Sequence, residues 1–373
     1  MDASLAIIGA GPAGLYAARE ASRLGLSVTV YEKYCVGEKI HCAEGFFDML
    51  KLLNPPSHGV RFKVSETIFT AKDTFHIDCS KLNMWMIDRA QWQQGLAREV
   101  LSQGCVIHEN TPVTPQLYKK LEEQYDWIID ASGVSAFSIK TGGVPQIKHA
   151  HTAQYTLEGD FSHLYGKIKA AAEPDYYGYY WIFPKARDMA NVGLGWFAKK
   201  PGTNLSIHRE LIRILQKEGL QDYKILKKSG GPIPVSMVEK AVHGKTLLVG
   251  DAAGLASPLH GGGVDTACIS GVLAARALAQ GRPDLYEASL KKVLGTRLAL
   301  EQKILDFWQT MDFDDLNELL TIAFGKGLSR FGTVWKHRKK MMQEAAILRY
   351  FCQGGVRADW QDGVSMQDLN MYK

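Results

Sequence analysis

Three glycines near the start of the chain have the spacing of a phosphate-binding turn. A short apolar run, residues 4–8, precedes them, and an alanine-rich segment that reaches about Leu24 follows. In a strand–turn–helix unit the first glycine permits the tight turn, the second lets the backbone approach a pyrophosphate, and the third lets the helix pack against the strand. The first N–H groups of the helix then point at the phosphates. We therefore expect a dinucleotide to contact Gly9, Gly11, Pro12, Ala13 and Gly14.

An acidic residue ends the second predicted strand of the same β-α-β unit. Residues 27–31 alternate as a strand, and Glu32 follows them. A carboxylate at this place accepts hydrogen bonds from both ribose hydroxyls and repels a 2′-phosphate, which favours FAD or NAD over NADP. The neighbouring Lys33 is assigned to the same site. The alternative is a chance glycine-rich turn, against which the strand, the helix and the acid all argue.

A second glycine-rich motif, far along the chain, selects FAD. The apolar run 246–249 ends in a Gly-Asp pair, and a small-residue helix is predicted over residues 263–280. An aspartate at a strand end accepts hydrogen bonds from the ribityl chain of FAD, and the helix aims its positive end at the flavin N1–C2=O edge. The alternative is a helix start whose glycines serve packing alone. The expected contacts are Gly250, Asp251, Pro258, Gly261, Gly262 and Gly263.

The composition is that of a packed globular protein. Hydrophobic residues make up 46% and charged residues 22% of the 373 residues, which argues against extensive disorder. The net charge of +5 does not indicate nucleic acid, and it suits an anionic lipid surface or an acidic substrate. Six cysteines without a CxxC pair argue against a metal site. Without a signal peptide or a spanning run, the expected location is cytoplasmic, with peripheral contact to the inner membrane face as an option.

Predicted strands and helices return to the nucleotide site from three separate stretches. The pattern predicts an α/β protein with a doubly wound, Rossmann-like FAD-binding domain, an inserted antiparallel β-sheet substrate domain and a C-terminal helical region. Residues 33–58 are predicted to be irregular, and residues 60–78 to form short strands. The predicted domains are 1–60, 82–140 and 240–282 for FAD, 61–81 and 141–239 for the substrate, and 283–373 for a helical cap and tail.

Several motifs together resemble the geranylgeranyl reductase family, within the flavoprotein group that also contains para-hydroxybenzoate hydroxylase-like monooxygenases. Residues 179–185, Tyr-Tyr-Trp-Ile-Phe-Pro-Lys, match the YxWxFPK signature of that family. Residues 36–45 resemble its Cys-x-Glu-Gly loop, residues 88–89 its Asp-Arg helix start, and residues 126–133 its strand ending in Asp-x-Ser-Gly. The resemblance covers about residues 1–280, and residues 330–373 match no motif of the family.

The resemblance implies reduction of isolated C=C bonds in prenyl chains. A hydride from flavin N5 would go to one carbon and a proton to the other. The implied additional flavin contacts are Cys42, Arg89 and Gly133. Trp181, Phe183 and Tyr179 would line an apolar slot for the chain and present their rings to developing positive charge, with core packing as the alternative.

The implied catalytic residues are Cys42, Tyr179 and Trp181. Cys42 would donate a proton or shape the pocket, and a buried, inert cysteine is the alternative. His260 is predicted to hydrogen-bond the flavin or bind substrate together with Trp181 and Phe183, and an exposed loop histidine is the alternative. Lys185 is interpreted as a surface or headgroup contact.

Three functions stay open at this point. The first is an FAD-dependent reductase of prenyl chains on a lipid or quinone. The second is an aromatic monooxygenase or halogenase, against which the missing Arg after Ser135 and the missing Trp-rich loop argue. The third is a flavoprotein that transfers electrons without catalysis. Because no second dinucleotide-binding pattern is visible, the electron donor would be transiently bound NAD(P)H or a small redox protein.

A basic segment with interleaved apolar residues lies near the C-terminus. It is interpreted as an interfacial helix that collects a lipid substrate from an anionic leaflet. A solvated basic face over a core is the alternative. Its members are Phe324, Lys326, Leu328, Arg330, Phe331, Val334, Trp335, Lys336, His337, Arg338, Lys339, Lys340, Met341 and Met342.

Overall fold

The computed structural model describes residues 3–142 and 147–325, which form sixteen strands and nine α-helices. The strands are β1 (Ser4–Ile8), β2 (Ser27–Tyr31), β3 (Gly45–Asp48), β4 (Val60–Lys63), β5 (Glu66–Thr70), β6 (Thr74–Asp78), β7 (Asn83–Ile87), β8 (Val106–His108), β9 (Trp127–Asp130), β10 (His149–Glu158), β11 (Lys167–Ala172), β12 (Tyr176–Ala186), β13 (Met189–Lys199), β14 (Lys224–Pro234), β15 (Val242–His243) and β16 (Thr246–Leu248). The helices are α1 (Pro12–Arg23), α2 (Arg89–Ser102), α3 (Pro115–Gln124), α4 (Phe137–Gly142), α5 (Ile207–Lys217), α6 (Val264–Ala279), α7 (Asp284–Leu290), α8 (Thr296–Trp308) and α9 (Phe313–Phe324).

A six-stranded sheet carries the first half of the site. Its order is β15-β16-β9-β1-β2-β8, and its pairs are parallel except for β15 with β16. Leu5 and Ile7 of β1 pack in the cluster that contains α1 and α6, whereas Ala6 packs on the other face toward Leu121 of α3. Helices on both faces explain why β1 is a continuous apolar run.

The carboxyl ends of β1, β2, β9 and β16 meet at one edge of this sheet. Parallel strands place their following loops at this common edge, which is where dinucleotides bind in such sheets. Helices α1 and α6, which follow β1 and β16, pack closely on each other: a Cβ on Gly271 would lie 2.3 Å from the Ala13 carbonyl oxygen. The two glycine-rich turns are therefore neighbours in space.

A seven-stranded sheet has the order β14-β10-β13-β12-β11-β5-β6 and is antiparallel except between β11 and β5. The two faces of β12 differ because its side chains alternate. Tyr180 and Ile182 pack with α5. Trp181 and Phe183 face the opposite way, toward Met86 of β7. The aromatic segment singled out from the sequence thus presents one face to a second layer.

That second layer is a three-stranded sheet with the order β3-β7-β4. Its strand β3 lies in a stretch predicted to be irregular, and that prediction is wrong for Gly45–Asp48. Phe46 and Asp48 are completely buried, and Phe47 contacts the apolar cluster of β12. Pairing with β7 and burial of Phe46 and Asp48 stabilise a four-residue strand that the local sequence pattern does not reveal.

The C-terminal helices close the sheet edge and extend the core. Tyr286 of α7 donates a hydrogen bond to the Leu248 carbonyl at 2.6 Å. One π-helical turn, Lys291–Gly295, joins α7 to α8, and the backbone stays helical on both sides of it. Helix α9 packs through Leu316 and Leu320 against Phe75 of β6. None of the described helices is long and apolar enough to cross a membrane.

The predicted fold class is confirmed, with a parallel Rossmann-like sheet, separate antiparallel sheets and C-terminal helices. The division into domains stays a prediction. Its boundary between residues 60 and 61 falls inside β4.

Candidate functional site

The three glycines of the first turn are required for different reasons, two by the packing of the protein and one by the proposed ligand. Gly9 has φ +101°, and a Cβ there would lie 2.5 Å from the Ala131 carbonyl oxygen. A Cβ on Gly14 would lie 2.0 Å from the Gly9 carbonyl oxygen. A Cβ on Gly11 would meet no described protein atom within 4 Å. The fold therefore requires Gly9 and Gly14, while the open space above Gly11 fits a close-lying pyrophosphate.

The start of α1 offers free backbone donors. Gly11 is the N-cap residue without a side-chain cap, and Pro12 occupies the first turn. Glu32, at the end of β2, accepts from the Ala10 N–H at 2.6 Å and from the Tyr34 N–H at 3.0 Å. Each carboxylate oxygen keeps a further acceptor position for a ribose hydroxyl. Pro12 and Ala13 are buried and Lys33 is exposed.

The second glycine turn follows β16. Gly250 has φ +56°, and its N–H donates to the Ser270 hydroxyl of α6 at 2.9 Å. Gly263 is the N-cap residue of α6 without a side-chain cap, so the positive end of this 16-residue helix is open to an anionic ring edge. A Cβ on Gly263 would lie 3.4 Å from Asp251 Oδ1. Pro258 is buried, and Gly261, with φ +66°, and Gly262 complete the turn.

Arg89 connects the two turns with Cys42. It begins α2, and its Nε donates to Gln93 at 3.0 Å, which in turn donates to the Ala10 carbonyl at 3.2 Å. Burial acts to lower the pKa of Arg89, but the Cys42 sulfur and the Asp251 carboxylate oppose it and keep that pKa above its usual value. Burial raises the pKa of Asp251, and Arg89 acts against this. The cation therefore faces both groups.

The loop that carries Cys42 is attached to the large sheet. The Cys42 sulfur accepts from the Glu44 N–H at 3.2 Å, and Glu44 has φ +69°, a left-handed backbone that costs a non-glycine residue energy. The Cys42 carbonyl accepts from Gln154 at 3.2 Å, and the Ala43 carbonyl accepts from Asn191 at 3.2 Å. These contacts hold the thiol at a defined, partly exposed place.

Glu44 is the centre of this attachment. Its carboxylate is 6% exposed, pairs with Lys185 Nζ at 2.5 Å and accepts from Asn191 at 3.2 Å and the Arg89 N–H at 3.3 Å. The Lys185 side chain is 17% exposed and pairs with this buried carboxylate, and its interpretation as a surface or headgroup contact stays a prediction. Through these contacts Glu44 orients the loop that carries Cys42.

The aromatic face of β12 lies beside this loop. Trp181 Nε1 donates to Gln154 Oε1 at 3.0 Å, and the same amide binds the Cys42 carbonyl. The Tyr179 hydroxyl donates to the His260 carbonyl at 2.5 Å. Trp181 and Phe183 are 8% and 7% exposed, so they pack as core residues and at the same time border the loop. The structure brings Cys42, Tyr179, Trp181 and His260 together, and their catalytic roles stay predictions.

His260 lies against a buried ionic cluster that the sequence analysis missed. Arg297 of α8 binds Asp265 at 2.9 Å and Glu301 at 2.8 Å, and His260 Nε2 lies 3.9 Å from Glu301 Oε1. His260 Nδ1 accepts from the Gly262 N–H at 3.1 Å, which assigns the ring proton to Nε2. Burial, opposed by Glu301, lowers the pKa of His260. The ring is therefore neutral near neutral pH.

The sequence analysis predicted Gly133 as a site residue but missed several others. Gly133, with φ +71°, follows Asp130, which is completely buried and accepts from the Ser132 N–H at 3.0 Å. Gln154 and Asn191 were not singled out, and their signal is a polar residue at an inward position of an otherwise apolar strand. For Arg297 the available signal was the i,i+4 pairing with a glutamate in a predicted helix.

Residues 149–233 match the family described as geranylgeranyl reductase catalytic domain. This segment contains strands β10 to β14 and the aromatic face of β12. The chain is therefore similar to geranylgeranyl reductases, and the resemblance that its motifs predicted is confirmed. Residues 3–164 match the family described as pyridine nucleotide-disulphide oxidoreductase. The predictions of an FAD-dependent oxidoreductase and of FAD as the cofactor are confirmed.

Relatives and solved structures are similar to this chain over most of its length. Digeranylgeranylglycerophospholipid reductase 2 of Methanococcoides burtonii is 26% identical over 84% of this chain and 86% of its own length. The digeranylgeranylglycerophospholipid reductase of Methanosarcina mazei is 25% identical over 92% and 95%. A geranylgeranyl bacteriochlorophyll reductase-like protein of Thermoplasma acidophilum has a TM-score of 0.78 at 19% identity, covering 93% of this chain and 99% of its own.

The fold of this chain is shared with a halogenase. The flavin-dependent halogenase CmlS has a TM-score of 0.66 at 17% identity, covering 99% of this chain and 76% of its own. At this identity the likeness shows the fold alone and favours neither alternative chemistry. The basic segment proposed for lipid contact lies, from Lys326 onward, outside the described residues.

Proposed function

We propose that this chain saturates isolated C=C bonds in the prenyl chains of a membrane phospholipid, using bound FAD. The single observation that carries the proposal is the convergence of two glycine turns, the Cys42 loop and the aromatic face of β12. The names of the relatives, which specify digeranylgeranylglycerophospholipid, supply the substrate class.

Bound FAD, once reduced, supplies the hydride equivalent. The first turn and Glu32 would hold its pyrophosphate and ribose, and the start of α6 would hold the pyrimidine edge of its ring. Asp251 and Arg89 would contact the ribityl chain between the ring and the pyrophosphate. This assignment follows from the open space above Gly11 and the uncapped start of α6.

The residues of this chain orient the reacting groups, exclude water from the alkene and donate a proton. Trp181 and Phe183 exclude water from the alkene, and the rings face the carbon on which positive charge develops. Cys42 gives the proton that completes saturation, and the Arg89 cation stabilises the thiolate that is left behind. Gln154 fixes the loop carbonyl of Cys42 relative to the Trp181 indole, so the two groups keep one geometry.

The electron donor and the membrane contact are further parts of the proposal. Within residues 3–142 and 147–325 a single parallel sheet is present, which supports transient binding of a nicotinamide donor or a small redox protein. A substrate with two prenyl chains resides in a bilayer, and this supports peripheral contact of the enzyme with that surface.

Anaerobic reoxidation tests the proposed function. The purified holoprotein is reduced with dithionite, and reoxidation of the flavin is followed after adding a digeranylgeranyl phospholipid. Reoxidation with formation of saturated product is expected. Reoxidation by oxygen alone would remove the proposal.

A matched pair of cysteine variants tests the proton donor. Cys42→Ser is expected to slow the reoxidation about a hundredfold, because a hydroxyl is a far weaker acid. Cys105→Ser is the control, since Cys105 is buried at 6% exposure beneath α1. Equal rates in the two variants would show that Cys42 only shapes the pocket.

A further inference from the structure

A cationic cleft opens where β12 ends, and no part of the proposed mechanism uses it. Its volume is about 670 Å³, and its walls come from β4, the start of α2 and the turn between β12 and β13. Arg61, Lys185 and Arg187 line it together with the carboxylates of Asp88 and Asp188. Arg61 pairs with Asp88 and Lys185 with Glu44, whereas Arg187 makes no ion pair within the described part of the chain, so Arg187 is the cation that attracts an anionic group.

Both guanidinium groups of the cleft retain donors for a ligand. Arg61 binds Asp88 through Nη2 at 2.7 Å and the Lys185 carbonyl through Nη1 at 3.2 Å, and each of these nitrogens carries a second N–H. Arg187 stacks on the Tyr165 ring at 4.7 Å. Stacking uses the face of a guanidinium and leaves the N–H groups at its edge for bidentate binding of phosphate.

The cleft continues the apolar face of β12. Trp181 and Phe183 lie in the apolar cluster between β12 and β7. Lys185 follows on the same side, as its contact with Glu44 shows. Four residues of strand separate Trp181 from Lys185, about 13 Å. One side of this strand thus changes from apolar to cationic over the length of a short prenyl segment.

We propose that this cleft binds the phosphate of the prenyl phospholipid, with Arg187 and Arg61 as its main donors. The proposal rests on the proposed function and deepens it, because it fixes the direction in which the lipid enters. Phosphate groups of a nicotinamide donor have the same chemistry. The continuity of the cleft with the aromatic face favours the lipid, since a dinucleotide has no chain to place there.

Binding of two soluble probes tests the site without turnover. Farnesyl monophosphate and farnesol differ only by the phosphate, and calorimetric titration of the holoprotein measures both affinities. Arg187→Gln is expected to weaken binding of the monophosphate about tenfold and to leave farnesol unchanged. Arg61→Lys keeps a cation for Asp88 but loses the planar fork of N–H donors, and it is expected to have the same effect.

A control variant separates the cleft from general charge effects. Lys228→Gln removes another cation that lies over a tyrosine ring, at 5.2 Å from Tyr155, and Tyr155 packs on the α5 side of the large sheet. It is expected to leave both affinities unchanged. Equal losses for both probes in Arg187→Gln, or no discrimination between the probes in the wild type, would overturn the proposal.

A further measurement distinguishes the phosphate of the lipid from the phosphates of a nicotinamide donor. It compares the rate of flavin reduction by NADPH with the rate of reduction by dithionite. If Arg187→Gln slowed reduction by NADPH alone and kept the monophosphate affinity, the cleft would belong to the donor and the proposal would be wrong. If the wild type bound the monophosphate through Arg187 but never saturated a prenyl lipid, the proposed function would fail while the phosphate site stood.

Discussion

Substituting the second and third glycines of the first turn separates loss of the cofactor from loss of the fold. At Gly11 the backbone has φ −75° and ψ −175°, which alanine adopts freely, and a Cβ has open space. Gly11→Ala is therefore expected to stabilise the apoprotein slightly, by about 0.4–1 kcal/mol, through the unfolded chain. The same Cβ occupies the space proposed for the pyrophosphate, so FAD affinity is expected to fall about a hundredfold.

The magnitudes follow from linkage. With FAD at a hundred times its dissociation constant, the wild type gains about 2.7 kcal/mol. After a hundredfold loss of affinity the same concentration contributes only about 0.4 kcal/mol. Gly14→Ala behaves differently, because its Cβ would overlap the Gly9 carbonyl oxygen at 2.0 Å. That backbone clash is expected to cost at least about 3 kcal/mol with or without FAD.

Thermal unfolding of both variants, with and without added FAD, measures these differences, and flavin absorbance gives the bound fraction. The expected result is a nearly wild-type apoprotein for Gly11→Ala that has lost most of its stabilisation by FAD. Gly14→Ala is expected to be unstable in both conditions. A Gly11→Ala variant that purifies with full flavin content would refute the placement of the pyrophosphate.

Three further perturbations test the centre of the molecule. Trp181→Ala is expected to retain FAD and to lose prenyl reduction, and full turnover would show that the indole only fills space. Arg297→Met is expected to lower the unfolding free energy by about 3–5 kcal/mol in urea titrations, because Asp265 and Glu301 lose their buried cation. A loss under about 1 kcal/mol would contradict that. Since the pKa of His260 is lowered in the fold, the unfolded chain binds more protons below pH about 6.5, and stability falls as pH falls through that value. His260→Gln should flatten that slope, and an unchanged profile would exclude His260 as its source.

The parallel sheet and both glycine turns were predictable because their signals are local. A strand, a turn of defined glycine spacing and a helix lie within about 25 residues, and each glycine has a separate physical reason. The structure supplies those reasons for Gly9 and Gly14. The resemblance to geranylgeranyl reductases, the cofactor and the oxidoreductase class were predicted from such segments and are confirmed.

The attachment of the Cys42 loop was not predictable in the same way. Gln154 and Cys42 are 112 residues apart, and Asn191 and Glu44 are 147 apart. A polar side chain at a buried position of a strand indicates that it has a hydrogen-bond partner, but the sequence does not identify that partner. The same limit applies to Arg297. Its partner Asp265 lies in α6, and the sequence analysis considered only the glycines at the start of that helix.

The π-helical turn at Lys291–Gly295 holds one residue more than a regular α-helical turn. The wider turn absorbs this extra residue, so the helix after it keeps about the same angular position. Removing one residue from the turn should therefore restore regular α-helix and leave Arg297 facing Asp265. Removing one residue from the regular part of α8 before Arg297 would instead rotate that side chain by about 100°, away from Asp265. Natural variation and protein engineering should accordingly change the length of the chain at this turn more readily than in the helix after it.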